Sequence, residues 1–376
     1  MAPRAVVVGG GIGGLSAAAG LGRAGWRVTV LERAAQFRPA GAGLVLQANG
    51  LRCLDALGLG AAVRGAGIAD RSGGTRRWDG RWLARVEAGR LEKVLGTPAY
   101  GIHRAQLHRI LLEAQPAGVT VRTGAHVTGV SADGEVTYRC AGDEGRIDAD
   151  LVVGADGIRS TVRGQLWPLS AGPEPVGVTA WRGVTPDAWR AELVVAISWG
   201  PGAEFGIVPL ADGRVYWYAA VNASPGRAPD RVDPRFEHWH EPIPALIAAT
   251  GAVLRDELAC LDEPLPTYVR GRVVLLGDAA HAMTPNLGQG ANQALEDAVV
   301  LAAVAGRPDG LRSYDQERRP RSQRVAAASR LIGRFGQQLE NRLAVAARDT
   351  VMRLVPTGVA LRSMTRYADW RPPAGG

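Results

Sequence analysis

The chain is poor in the residues that usually announce a specialised site. It has three cysteines, Cys53, Cys140 and Cys260, scattered and odd in number, which excludes a disulfide framework and a cysteine-based metal spacing. No metal is therefore expected. Aromatic residues are 6% of the chain and lysine occurs once, at Lys93. No nucleic-acid motif and no stacking aromatics accompany the arginines, so a nucleic-acid partner is not expected. No run reaches the ~18 uncharged apolar residues of a spanning helix, so stable membrane association is not expected either. The first strand-like run begins at Ala5, without a charged and apolar leader before it, and a cytoplasmic protein is expected. A serine or cysteine nucleophile elbow is also missing, which argues against nucleophilic catalysis.

Glycine, by contrast, is abundant, with 50 residues, and two glycine-rich patches far apart in sequence read as parts of one nucleotide site. The first is Ala5-Val6-Val7-Val8-Gly9-Gly10-Gly11-Ile12-Gly13-Gly14, followed by Arg27-Val28-Thr29-Val30-Leu31-Glu32. Strand, glycine turn and helix follow in the order a dinucleotide-binding unit needs. Gly9 permits the tight turn, Gly11 lets the backbone approach a pyrophosphate, and Gly14 lets the helix pack close. The helix N-terminus offers free N–H groups to phosphates. Glu32, at the end of the next strand, is placed to accept ribose hydroxyls, with Gly13 and Arg33 beside this set.

The second patch is Val273-Val274-Leu275-Leu276-Gly277-Asp278-Ala279-Ala280-His281, followed by Pro285-Asn286-Leu287-Gly288-Gln289-Gly290-Ala291-Asn292. Asp278 follows an apolar run, so it sits at the carboxyl end of a buried strand, where open α/β sheets bind ligands. It reads either as a ligand to a cofactor hydroxyl or as a turn cap. His281 reads equally as a structural histidine or as a proton-handling one. Gly288-Gln289-Gly290 opens the helical pattern Ala294, Leu295, Ala298, Val299, Leu301, Ala302, whose N-terminus can stabilise negative charge on an electron-accepting ring.

Gly277 to His281 with Gly288 to Asn292 resembles the second FAD motif of the single-component (group A) flavoprotein aromatic monooxygenases, the group that includes para-hydroxybenzoate hydroxylase. Val152 to Arg163, centred on Asp156-Gly157, resembles that family's Asp-Gly motif, linked there to flavin and nicotinamide binding. Arg104 matches an arginine that members place near the flavin, and Pro285 matches a proline close to its ring. Gly41 to Asn49, with Gly43 at its centre, matches a loop beside the ribityl chain, and Val127 joins the expected flavin-binding set. One departure is Ala282, where many members have proline; alanine leaves φ free where proline fixes it. The resemblance implies an α/β protein: a Rossmann-like FAD-binding domain of the glutathione reductase type, with an inserted sheet-rich substrate domain and C-terminal helices. It also implies non-covalent FAD, NAD(P)H as co-substrate, O2, and hydroxylation or epoxidation of an aromatic or polycyclic small molecule through a flavin C4a-hydroperoxide. The alternatives are a flavin-dependent oxidase or halogenase-like enzyme, or a non-catalytic flavin-binding protein. The Trp-x-Trp-x-Ile-Pro segment of the halogenases does not occur.

The cofactor signals divide the chain. Residues 1–70, 100–165 and 270–330 are expected to form a discontinuous FAD-binding domain, 71–99 and 166–269 the substrate domain, and 331–376 a C-terminal helical segment. Within the substrate part, Asp212-Gly213 between two strand-like runs is a hairpin signal. Candidate substrate residues are Trp181, Phe205, Tyr216 and Tyr218, with Arg182, Glu204 and Pro285 in catalytic roles. Alternation puts Tyr216 and Tyr218 on one strand face and Trp217 on the other. Urate-oxidising members carry an arginine at the position aligned with Glu204, which disfavours urate here; fused-ring phenolic or indolic substrates fit better. A monomer or homodimer is expected. Eleven arginines against two acids lie between Arg318 and Arg366, and this charge is expected on a solvated outer face of C-terminal helices.

Overall fold

The computed structural model describes residues 1–37, 42–70, 73–86, 89–223 and 231–373. Its first sheet has six strands, in the order Val269–Arg270, Val273–Leu275, Leu151–Gly154, Arg4–Val8, Arg27–Leu31 and Val119–Arg122. All neighbours run parallel except the Val269–Arg270 edge. The central strands are continuous apolar runs because helices cover both faces; Val6, Val7, Val152, Val153, Val273 and Val274 are all buried. Three strands from distant parts of the chain thus end side by side. Their carboxyl ends deliver Gly9 to Gly11, Ala155-Asp156 and Gly277-Asp278 to one edge of the sheet, the edge at which open α/β sheets take ligands.

The second sheet has seven strands, in the order Val253–Cys260, Glu174–Val184, Val215–Asn222, Ala203–Pro209, Val195–Gly200, Gly73–Arg77 and Trp82–Val86. Strands from 73–86 and from 174–260 therefore share one sheet. The hairpin at Asp212-Gly213 forms, with the Gly213 N–H donating to the Leu210 carbonyl at 3.0 Å and Gly213 at φ +81. A three-stranded sheet of Gly43–Leu46, Ala99–His103 and Ile68–Asp70 packs beneath.

The helix Gly290–Val304 is buried on nearly every side and packs against Ile12–Arg23 and the long helix Gly310–Phe335. Residue 330, the expected border of the C-terminal segment, lies inside that continuous helix, and further helices follow at Arg342–Leu354 and Thr357–Thr365. The arginine-rich stretch is not uniformly solvated. Arg318 is fully buried between Glu296 and Asp297, and Arg321 also reaches Glu296. Two carboxylates buried in an apolar helix need paired cations, and the long helix supplies them. No helix among the described residues is long and apolar enough to cross a membrane.

Candidate active site

The glycines of the first turn divide into those that pack and one that opens. A Cβ at Gly9, where φ is +104, would lie 2.4 Å from the Ala155 carbonyl oxygen, and one at Gly14 would lie 2.0 Å from that of Gly9. At Gly13 it would meet Leu276 at 2.8 Å. Gly11 has no heavy atom within 4 Å of that position and is the N-cap of Ile12–Arg23, without a side chain to satisfy the helix end. The free N–H groups and the open space are what a pyrophosphate requires. Glu32 closes one wall, its carboxylate accepting the Gly10 and Ala34 N–H groups, both at 2.8 Å. Arg33 beside it is exposed. The adjoining cleft, about 730 Å³, is lined by Gly10, Gly11, Glu32, Phe37 and His108 among others. His108 donates from Nε2 to the Gly10 carbonyl at 2.7 Å and packs against Phe37 in a tilted arrangement, ring centroids 4.6 Å apart.

At the neighbouring strand end Gly277, at φ +59, caps the short helix Asp278–His281 through its backbone alone. Asp278 is not that cap. Its carboxylate is exposed and has no hydrogen-bond partner among the described residues, so it is available to a cofactor hydroxyl. The turn is held from behind by Asp297, whose Oδ2 accepts the Gly277 N–H at 2.9 Å and His281 Nε2–H at 2.6 Å, while Oδ1 accepts Arg318 Nε–H at 2.8 Å. Burial works against ionisation of Asp297, but His281 and Arg318 outweigh it and hold its carboxyl at about 2. His281 is thereby tied to Asp297 through Nε2, while its buried Nδ1 has no hydrogen-bond partner among the described residues. Asp156 is similarly engaged: it accepts from the Ser160 hydroxyl at 2.5 Å and from the Thr161 and Val162 N–H groups at 2.7 and 3.1 Å. Its carboxylate shapes the Asp-Gly loop from within the protein. Arg163 joins that loop to the second turn, donating to the Ile158 carbonyl at 2.5 Å and the Ala279 carbonyl at 2.9 Å.

Gln289 and Asn292 also turn inward. Asn292 accepts the Gln47 N–H at 3.1 Å and donates to the Val45 and Gly288 carbonyls at 3.2 and 2.9 Å; Gln289 donates to Gln47 Oε1 at 2.7 Å. They stitch the loop after Gly43 to the start of the Gly290–Val304 helix, where a Cβ on Gly290 would meet nothing within 4 Å. Gly288 takes φ +62 and Ala291 lies in the first helical turn. Arg104 is exposed, and its N–H donates to the Ala42 carbonyl at 2.9 Å. Gly41 lies outside the described residues. Val127 is a buried core residue in the strand Ala125–Val130.

The seven-stranded sheet sorts the candidate substrate residues by parity. Tyr218 pairs with Arg182 on one side and Gly206 on the other, and Ala220 pairs with Glu204. Arg182, Glu204, Tyr216 and Tyr218 therefore share the face that meets Gly43. Trp181 and Phe205 are not brought to it. With Trp217, Phe236 and Trp239 they form the core of the opposite face, because neighbouring strand residues point to opposite sides. Glu204 is 2% exposed, lies inside the strand Ala203–Pro209, and among the described residues accepts only Trp199 Nε1–H, at 3.1 Å. Burial pushes its carboxyl up to about 7, with the Trp199 hydrogen bond opposing. The Tyr218 hydroxyl is raised well above its usual range by burial and then by Glu204. Arg182 pairs with Asp256 at 2.5 Å.

Asp297 and His108 were not marked by the sequence reading, and Arg163 stood in the Asp-Gly motif without a role of its own. Asp297 had a signal, since Glu296-Asp297 interrupts an apolar helical pattern, and buried acids imply a partner. His108 had none, because its partner is a backbone carbonyl.

The FAD binding domain family matches residues 3–329. The chain is 38% identical over 364 residues to the aurachin C monooxygenase/isomerase of Stigmatella aurantiaca, covering 93% of this chain and 94% of the relative. It is 34% identical over 370 residues to the 2-heptyl-3-hydroxy-4(1H)-quinolone synthase of Pseudomonas aeruginosa, covering 93% and 94%. Among solved structures, Klebsiella pneumoniae HpxO complexed with FAD and uric acid superposes with a TM-score of 0.87 at 28% identity, covering 97% of this chain and 96% of that one. The open cradle at Gly11 and the free carboxylate of Asp278 fit the cofactor that these matches share. The chain belongs to the group A FAD-dependent aromatic monooxygenases, and is an FAD enzyme that uses NAD(P)H and O2.

Proposed function

We propose that this monooxygenase hydroxylates a neutral fused-ring aromatic carrying a ring N–H or phenolic O–H, bound between the FAD-binding part (1–70, 100–165, 270–330) and the substrate part (71–99, 166–269). The observation that carries this reading is Glu204, a buried carboxylate with a single protein donor, on the same sheet face as Tyr216 and Tyr218. Bound FAD supplies electron transfer from NAD(P)H and the activation of O2. The chain's residues hold the ring and adjust its charge. Tyr216 and Tyr218 offer an aromatic wall. The free oxygen of Glu204 accepts a hydrogen bond from the substrate N–H or O–H, raising electron density on the ring to be attacked. Arg182 already has its counter-ion in Asp256, so an anionic substrate gains less there than it would from an unpaired arginine. Pro285 lies at the turn that the family places by the flavin ring. The quinolone named for the Pseudomonas relative is a ring of this class, which supports the substrate assignment by analogy.

The same reading makes the enzyme a cytoplasmic monomer or homodimer; three free cysteines support a reducing compartment. The test is NAD(P)H oxidation by the purified protein with 4-quinolones, indoles and naphthols against hydroxybenzoates and urate. Stimulation with hydroxylated product in the first group supports the assignment. Stimulation by urate or benzoates alone overturns it.

A further inference from the structure

We propose that Ser329, on the long helix Gly310–Phe335, is a positioning residue that clamps the Pro285 turn, and that Gly333 one helical turn further keeps space for Asn286. A serine inside a helix ordinarily bonds back to the carbonyl four residues earlier. Ser322, on the same buried face, does this, donating to the Arg318 carbonyl at 2.9 Å. Ser329 does not. Its hydroxyl donates to the Thr284 carbonyl at 2.6 Å and accepts the Leu287 N–H at 3.3 Å and the Thr284 hydroxyl at 3.1 Å. One donor and two acceptor sites are all in use, and all point to the two ends of the segment Thr284–Leu287. The residue is fully buried, so water does not compete.

Gly333 completes the seat. A Cβ there would lie 2.6 Å from Oδ1 of Asn286, the residue after Pro285. A hydroxyl thus ties the ends of the turn while a missing side chain admits its middle. The turn needs such support because Pro285 has no N–H to contribute and its ring is exposed. Pro285's place beside the flavin rests on the hydroxylase reading above. Given that place, Ser329 holds the turn at a set distance from the reacting ring through its bonds to Thr284 and Leu287, without itself touching the ring.

The experiment compares holoenzyme of Ser329→Ala, Gly333→Ala and the control Ser322→Ala. Its readouts are hydrogen exchange at the Leu287 amide, the visible flavin band, the FAD dissociation constant, and the fraction of oxidised NAD(P)H appearing as peroxide with an active naphthol or quinolone. Loss of one buried hydrogen bond predicts roughly three- to tenfold faster exchange at Leu287 in Ser329→Ala, with a displaced flavin band, a higher peroxide fraction and FAD affinity within about twofold. Gly333→Ala moves the band and the peroxide fraction by pushing Asn286 aside. Ser322→Ala changes none of these although it loses stability. Wild-type exchange and band in Ser329→Ala, or equal changes in Ser322→Ala, overturn the assignment. Should no aromatic stimulate the wild-type enzyme, the hydroxylase reading fails, while exchange and the flavin band still decide the clamp.

Discussion

The ring of Tyr216 lies directly over Gly43: a methyl group on Gly43 would come within 2.7 Å of Cβ, Cγ and Cδ1 of that tyrosine. The strand Gly43–Leu46 therefore touches the substrate sheet at a point where only a hydrogen fits. Gly43→Ala is expected to displace Tyr216, at a cost of about 1–3 kcal/mol for overpacking. Thermal unfolding of the apoprotein measures the cost, and the substrate KM is expected to rise with it. An unchanged KM would mean that Tyr216 does not line the pocket.

Gly11→Val separates cofactor binding from folding. Gly11 is extended, with φ −75 and ψ −176, a conformation valine adopts readily, and no protein atom lies within 4 Å of the new Cβ. The apoprotein is expected to keep its stability to within about 0.5 kcal/mol and to purify colourless, because the side chain fills the phosphate space. Full flavin occupancy, read from visible absorbance, would contradict this assignment.

Asp278→Asn removes a charge that has no hydrogen-bond partner among the described residues. A charge-assisted hydrogen bond contributes about 1.5–3 kcal/mol, so FAD affinity is expected to fall roughly 10- to 150-fold while apoprotein stability stays level. Fluorescence titration of the apoprotein with FAD gives the number directly.

Glu204 carries a pH signature. Its folded carboxyl sits near 7, raised from the model-compound value of 4.5 by burial. Between those values the folded chain keeps a proton that the unfolded chain has lost, so stability falls as pH rises through this window and is level outside it. The drop is on the order of 3 kcal/mol at ~1.4 kcal/mol per pH unit. Denaturant melts of apoprotein at pH 4.5 and pH 8 are expected to differ by about that amount, and Glu204→Gln to remove the difference. In the holoenzyme, Glu204→Gln is expected to preserve FAD content and raise the peroxide fraction.

Sequence and structure agree best where one residue does one job. The glycine turn and the Asp278 strand end were readable because packing and cofactor approach each demand a specific residue type at a specific spacing. The parity of Tyr216 and Tyr218 against Trp217 was readable for the same reason. Trp181 and Phe205, read as substrate residues, lie in the core of the face opposite Tyr216 and Tyr218, because a strand residue's face depends on register against its partners, which aromatic content does not reveal. Asp156, Gln289 and Asn292 carry the right motif, yet their side chains bond to the protein, a choice made by tertiary geometry. Arg318 was hidden among the tail's other arginines, since charge counts do not distinguish a buried partner from a solvated one.

The strands Arg4–Val8, Leu151–Gly154 and Val273–Leu275 stand side by side although the chain visits them far apart. During synthesis the Gly9–Gly14 turn emerges early, but Asp278 is made only after the entire substrate sheet has been synthesised. An FAD molecule meeting the nascent chain finds half of its cradle, and the other half must close a loop of more than a hundred residues. Contacts of such long sequence separation slow folding and leave intermediates exposed. Flavin loading is therefore expected late in folding, and a chain ending anywhere between Glu32 and Val273 keeps the first motif but lacks Asp278.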